Sequence, residues 1–210
     1  MTLKYFFLPL IFCLSSVLAQ DYAFFELEDE PNIVINAINS GTHKNIGVNI
    51  INLSGEEVVI HFPPGGYFLN ENESEQNLVL LFYDKLTVPP GGMNNIVLYT
   101  ACANPDRSAP RAGRINWTYG YDNKMGILLE SYESNRDMVA LMTGPEHHST
   151  FEKRHNFLQM FVWVYYNADK KQIVNFSTKY IFDGDRDAAQ SYVEIYYPIT
   201  KLFIETYKKL

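Results

Sequence analysis

Val59-Ile60-His61-Phe62 runs into Pro63-Pro64-Gly65-Gly66, and Lys85-Leu86-Thr87-Val88 runs into Pro89-Pro90-Gly91-Gly92. Proline has no amide proton for a sheet ladder and glycine enters positive φ without steric cost. Each Pro-Pro-Gly-Gly therefore stops a strand and turns the chain. Outward from this echo the texture is the same. Ile33–Ile38 alternates, Ile46, Val48 and Ile50 alternate within Ile46–Leu53, and Glu57–Phe62 carries Val58, Val59 and Ile60. Asn-Ser-Gly and Leu-Ser-Gly turns separate these runs. Gln76–Leu81, Lys85–Val88 and Asn95–Ala101 continue the series, and Arg114–Tyr121 places Ile115, Trp117, Tyr119 and Tyr121 on one face. Short β-branched runs with regular turn punctuation predict an immunoglobulin-like antiparallel β-sandwich over residues 20–124.

After residue 125 the pattern changes. Met125–Tyr132 and Asn135–Met142 read as helical turns, ended by Gly144-Pro145. Phe157–Tyr166 is apolar almost all round and so buried; its length and the polar lead-in from Glu152 to Asn156 favour a helix. From Asp187 onward, Ala189, Tyr192, Val193, Tyr196, Phe203 and Tyr207 fall near helical spacing, and Pro198 is expected to kink or split that helix. The chain thus reads as α+β, with a smaller, mainly helical portion over residues 125–210 packed on the sandwich.

The N-terminus carries Lys4, an apolar run from Tyr5 to Leu14, and Val17-Leu18-Ala19. A positive start, an apolar stretch too short for a bilayer and a small-residue end are the parts of a secretory signal over residues 1–19, cut after Ala19 to leave Gln20 first. Phe12 precedes Cys13 where a lipoprotein signal needs a small residue. No later segment reads as apolar enough to span a membrane. The expected location is therefore secreted, either extracellular or periplasmic. Removing residues 1–19 takes one lysine and no acid, so the net charge of −7 becomes −8. That balance argues against nucleic acid and against an anionic membrane surface. It also leaves Cys102 as the one cysteine, so no internal disulfide holds the mature chain together.

Cys102 ends the apolar strand Ile96-Val97-Leu98-Tyr99-Thr100-Ala101, and Gln159 sits within Phe157-Leu158-Gln159-Met160-Phe161-Val162-Trp163, a setting too apolar for an idle amide. If the segment is helical, Gln159 and Trp163 share a face. A strand ending in cysteine followed much later by Gln-x-x-aliphatic-Trp resembles the thioester domains of bacterial surface adhesins, and a broader group of uncharacterised secreted bacterial proteins. The matching residues are Pro64-Gly65, Gln76-Asn77-Leu78-Val79, Cys102-Ala103-Asn104, Ala109-Pro110 and Gln159 to Trp163, across roughly residues 33–166. This chain departs from the pattern at Ala101 and Leu158. The resemblance implies a thioester between the Cys102 sulfur and the Gln159 side-chain carbonyl, open to attack by a surface amine, with Trp163 in support. The alternative is a buried structural cysteine beside a core glutamine bonded to backbone.

Asp183, Asp185, Asp187 and Glu194 fall at positions 1, 3, 5 and 12 of an oxygen-ligand spacing suited to calcium, though Ala188 stands where the loop needs glycine. The competing reading is an acidic helix N-terminus capped by Asp185 or Asp187. His147-His148 reads as a solvated loop rather than a metal site. Neither Gly-x-Ser-x-Gly nor a phosphate-cradling glycine loop occurs. A cysteine-dependent hydrolase needs a base near Cys102, for which His43 and His61 are the candidates. Among fifteen tyrosines, fourteen phenylalanines and two tryptophans, the Trp117, Tyr119 and Tyr121 stripe is either a sugar-stacking platform or one buried strand face. Asn52, Asn72, Asn116 and Asn175 begin glycosylation sequons. The expected function is a secreted or surface-associated binding or adhesion-type protein, not an enzyme, whose partner is an extracellular protein or glycan. Its binding is either covalent through Cys102 and Gln159 or wholly non-covalent.

Overall fold

The computed structural model describes residues 19–39, 44–114, 116–143 and 150–207. Residues 1–18, which hold nearly all of the segment read as a secretory signal, lie outside the described residues, as do His43, Ile115, Gly144-Pro145, His147-His148 and Lys208-Lys209-Leu210. Within them the chain is α+β, with two β-sheets followed by helices. The strands are β1 (Gln20–Ala23), β2 (Ile33–Asn39), β3 (Asn45–Asn52), β4 (Val58–Phe62), β5 (Gly66–Asn70), β6 (Leu78–Leu80), β7 (Asp84–Val88), β8 (Met93–Cys102), β9 (Gly113–Arg114) and β10 (Trp117–Tyr121). A three-stranded sheet has the order β1-β4-β7 and a seven-stranded sheet the order β10-β5-β6-β8-β3-β2-β9.

Alternation decides which faces meet. Ile46, Val48 and Ile50 of β3 are buried in one core with Val58, Ile60 and Phe62 of β4, which belongs to the other sheet. Each such side chain removed from water contributes roughly 1.5–3 kcal/mol, so this shared core holds the two sheets together. Asn52 braces one end of it. Fully buried, its Nδ2 donates to the Glu56 and Pro89 carbonyls at 2.7 and 3.1 Å while its Oδ1 accepts from Ser54 N at 2.9 Å.

One pairing departs from the antiparallel expectation. β1 runs parallel to β4, with Gln20 opposite Val58 and Ala23 opposite His61, while β7 pairs with β4 antiparallel. The four residues of β1 join an exposed edge without a hairpin to set their direction. The 3-10 turn Phe24–Asp29 then drives Phe24 into the core and carries the chain over to β2 in the other sheet.

The helices are α1 (Asn123–Ser134), α2 (Arg136–Thr143), α3 (Phe151–Tyr165), α4 (Lys170–Tyr180) and α5 (Arg186–Tyr207). Asp122, Thr150 and Asp169 cap α1, α3 and α4 by accepting from Met125 N, Lys153 N and Gln172 N. The helix α4 escapes the sequence reading, although Asp169 and Gln172 form a capping box before Ile173, Val174 and Phe176. The expected break at Pro198 does not divide α5, which is one helix through that residue. Val193, Tyr196, Thr200 and Ile204 are buried on both sides of it, and this packing outweighs the roughly 3 kcal/mol that an interior proline costs.

A second core joins the helices to the seven-stranded sheet. Val79 and Ala101 share it with Phe157, Phe161 and Trp163 of α3, whereas Leu78 and Leu80 of the same strand β6 belong to the first core. β6 is therefore covered on both faces, which is why Leu78-Val79-Leu80 is continuously apolar.

Candidate functional site: the junction of Cys102 and Gln159

Strand β8 ends against helix α3. Residues two apart on a strand lie about 6.6 Å from each other on one face, and residues four apart on a helix about 6 Å. Those two spacings match, so two consecutive bonds can form between the elements. His155 Nε2 meets the Thr100 carbonyl at 2.7 Å. One turn later Gln159 Nε2 donates to the Cys102 carbonyl at 2.8 Å, and Cys102 N donates to Gln159 Oε1 at 2.8 Å. The carboxamide thus forms a reciprocal pair with the main chain of Cys102, in the way a neighbouring strand would. Cys102, His155 and Gln159 are all fully buried.

A carbonyl only accepts, so His155 carries its proton on Nε2. Burial is the main cause that lowers its pKa from 6.5 to about 4, against the opposing pull of the Thr100 carbonyl. Because the folded value lies below the unfolded one, the stabilisation is complete above about pH 6.5 and drains away as pH falls towards 4. Over that window the loss should reach about 3 kcal/mol, read as a falling urea midpoint. His155→Gln keeps a donor and does not titrate, so its stability profile should be flatter than wild type. Parallel profiles would show that His155 is not the group responsible.

Burial also pushes the Cys102 thiol well up, which keeps it protonated and a poor attacking group. His61, one of the two bases considered for a hydrolase, is occupied elsewhere: Nε2 meets Asp21 Oδ1 at 3.0 Å and Nδ1 meets Tyr83 Oη at 2.5 Å. Trp163 is fully buried four residues beyond Gln159, its ring set edge-on to Phe176 at 4.3 Å.

The other sequence candidates fall in different places. Trp117 is only 7% exposed and edge-on to Phe68, Tyr119 packs edge-on against Phe24 and Phe68, and Tyr121 stacks on Phe25. The three rings are part of the packing between strands and the 3-10 turn, with Tyr119 and Tyr121 half-buried. In the acidic segment Asp185 Oδ1 accepts from Ala188 N at 2.9 Å and α5 begins at Arg186. From Arg186 onward the stretch that a calcium loop would need is helix, and Glu194 pairs with Lys170. Asp183 and Asp187 flank the cap, and no group of three potential metal ligands comes together among the described residues.

One feature escaped sequence reasoning. Just past Cys102, Ala103 and Asn104 line an open cleft of about 470 Å³, together with residues from β5, β6 and the segment after α3. Nothing local marks it, because its walls come from distant parts of the chain. No family model, curated protein or solved structure matches this chain. Among the described residues no helix is long and apolar enough to cross a membrane.

Proposed function

We propose that this chain is a secreted or surface-associated binding protein in which Cys102 and Gln159 are the pair for an internal thioester, used for covalent attachment to amines. The two facing sheets are read as an immunoglobulin-like sandwich whose last long strand, β8, ends in Cys102, while Gln159 comes from helix α3 packed on it. The carrying observation is the reciprocal contact between the Gln159 carboxamide and Cys102 at 2.8 Å. In forming the bond, Sγ adds to the side-chain carbonyl carbon of Gln159, and Nε2 leaves with the thiol proton as ammonia. Negative charge develops on Oε1 during addition, and the Cys102 N–H already points at that oxygen. A partner amine then takes the acyl group and returns the sulfur to a thiol. Exclusion of water favours survival of such a bond.

The test is the intact mass of the exported protein before and after methylamine. A thioester makes the chain one ammonia lighter, and methylamine then adds at Gln159 while freeing Cys102. Gln20, if it is the first residue after the cut, can lose the same mass by cyclising on its own amine. The loss must therefore be located by peptide mapping. A chain with an intact Gln159 amide and no adduct would remove the covalent reading.

A second reading is favoured by the burial itself. Both polar ends of Gln159 are already satisfied by Cys102 and neither residue touches solvent, an arrangement complete as a structural lock. In that case the chain binds its extracellular partner without chemistry.

A further inference from the structure

The cleft beyond Cys102 is built for a ligand with hydroxyl groups. Four carboxamides line it, those of Asn77, Asn104, Asn167 and Gln172, and all but Asn167 have their oxygen fixed by a backbone N–H. Asn104 Oδ1 accepts from Asn77 N at 3.1 Å, Asn77 Oδ1 from Asn70 N at 3.0 Å, and Gln172 Oε1 from Asp169 N at 2.9 Å. Because a backbone amide can only donate, these oxygens are assigned without ambiguity, and each NH2 is left as a positioned donor. Among the described residues no protein acceptor meets the three amide nitrogens.

Two phenol rings, Tyr67 and Tyr166, also line the cleft. Tyr67 is held in place over Gly120, where a Cβ would lie 2.2 Å from its ring. Tyr166 is 36% exposed, and Asn167 beside it sits at φ +62, with its N–H bonded to Val164 O and that of Ala168 to Trp163 O. That turn sets the ring at the mouth of the cleft.

Charge narrows the ligand further. Asp106 and Asp122 line the cleft and, among the described residues, no lysine, arginine or histidine does, so an anion is disfavoured. Asp122 is already occupied by Met125 N, Tyr165 Oη and Tyr166 Oη at 3.0, 3.0 and 3.4 Å. That leaves Asp106 as the one exposed carboxylate of the lining, and a single carboxylate is a poor set of ligands for a cation. Amide donors, one carboxylate acceptor and flat rings suit the equatorial hydroxyls and apolar faces of a sugar.

We propose that this cleft binds a neutral glycan, one or two sugar units at a time. The inference rests on the binding-protein reading and supplies its partner class, but it does not depend on the thioester. Binding here is reversible and read by chemical shift, whereas the bond is read by mass, so either can fail alone.

The experiment is a heteronuclear NMR titration of the mature chain with cellobiose, chitobiose and mannobiose, and with glucuronate as the anionic control. At least one neutral disaccharide should shift the amide resonances of Asn77, Asn104, Asn167 and Gln172. Gln172→Ala and Asp106→Ala should each weaken that binding about tenfold, the worth of one hydrogen bond to a charged or well-placed group. Both sites are at the surface, so the unfolding midpoint checks that the variants remain folded. The proposal is overturned if none of the three disaccharides shifts these resonances, if glucuronate binds as well as they do, or if the shifts map to Trp117–Tyr121 instead.

Discussion

Gly65→Ala is expected to remove about 3–5 kcal/mol of stability, whereas Gly91→Ala in the sister turn should cost about 1 kcal/mol. Both glycines have positive φ, +84 at Gly65 and +60 at Gly91, so a methyl group meets the backbone penalty in each. The surroundings separate them. A Cβ at Gly65 would lie 2.4 Å from Gly126 N and 2.7 Å from Asp122 O, backbone atoms of the first turn of α1 that have no rotamer by which to escape. At Gly91 nothing lies within 4 Å. Gly65 O also accepts from Asp122 N at 3.0 Å, so displacing the turn unseats the cap of α1 and with it the joint between sheet and helices. Urea unfolding of the two variants side by side measures the difference. Equal losses would mean that the joint adds nothing beyond backbone strain.

The second large effect is expected at Gln159. Gln159→Leu keeps most of the volume but leaves the Cys102 N–H and C=O buried without partners. Each orphaned group costs about 1–3 kcal/mol, so a loss of about 3–5 kcal/mol is expected. Gln159→Glu separates hydrogen bonding from shape. A protonated carboxyl can donate to Cys102 O and accept from Cys102 N, whereas a carboxylate would be buried against a carbonyl. The folded pKa of the introduced acid should therefore lie above its unfolded value. Its stabilisation is then present below the unfolded pKa, near 4.3, and lost as pH rises through the folded one. Relative to wild type, whose His155 works in the opposite direction, Gln159→Glu should gain stability on acidification. A Gln159→Glu variant that tracks wild type across pH, or a Gln159→Leu variant with an unchanged midpoint, would show that the junction is not held by this amide.

The strands were legible because alternation and turn chemistry are local. Ile46, Val48 and Ile50 declared their inward face, and the two Pro-Pro-Gly-Gly runs ended strands β4 and β7 where expected. Helix α3 was legible from its apolar density and polar lead-in. Of the two outcomes expected at Pro198, a kink or a split, the split does not occur, because four buried anchors around that residue outweigh its propensity. Strand β1 was missed because four residues at an edge carry too little pattern to specify a partner, still less its direction.

At the candidate site the residue types were legible and the geometry was not. Gln159 stood out as a polar group in an apolar run, which requires a partner but does not name one. Its partner lies 57 residues away, and their meeting depends on how α3 lies along β8. The cleft past Cys102 was wholly hidden, since Asn77, Asn104 and Gln172 look like ordinary loop and surface amides until the fold brings them to one opening.

By itself the sequence determined where strands stop, which faces turn inward and which buried polar residue had to be satisfied, because each of these follows from neighbours a few positions away. Only the tertiary structure decided what each feature meets. The same four residues, Pro-Pro-Gly-Gly, make a structural joint at Gly65 and an open surface turn at Gly91. A local pattern specifies the backbone angles of a turn, whereas the atoms packed against it come from elsewhere in the chain.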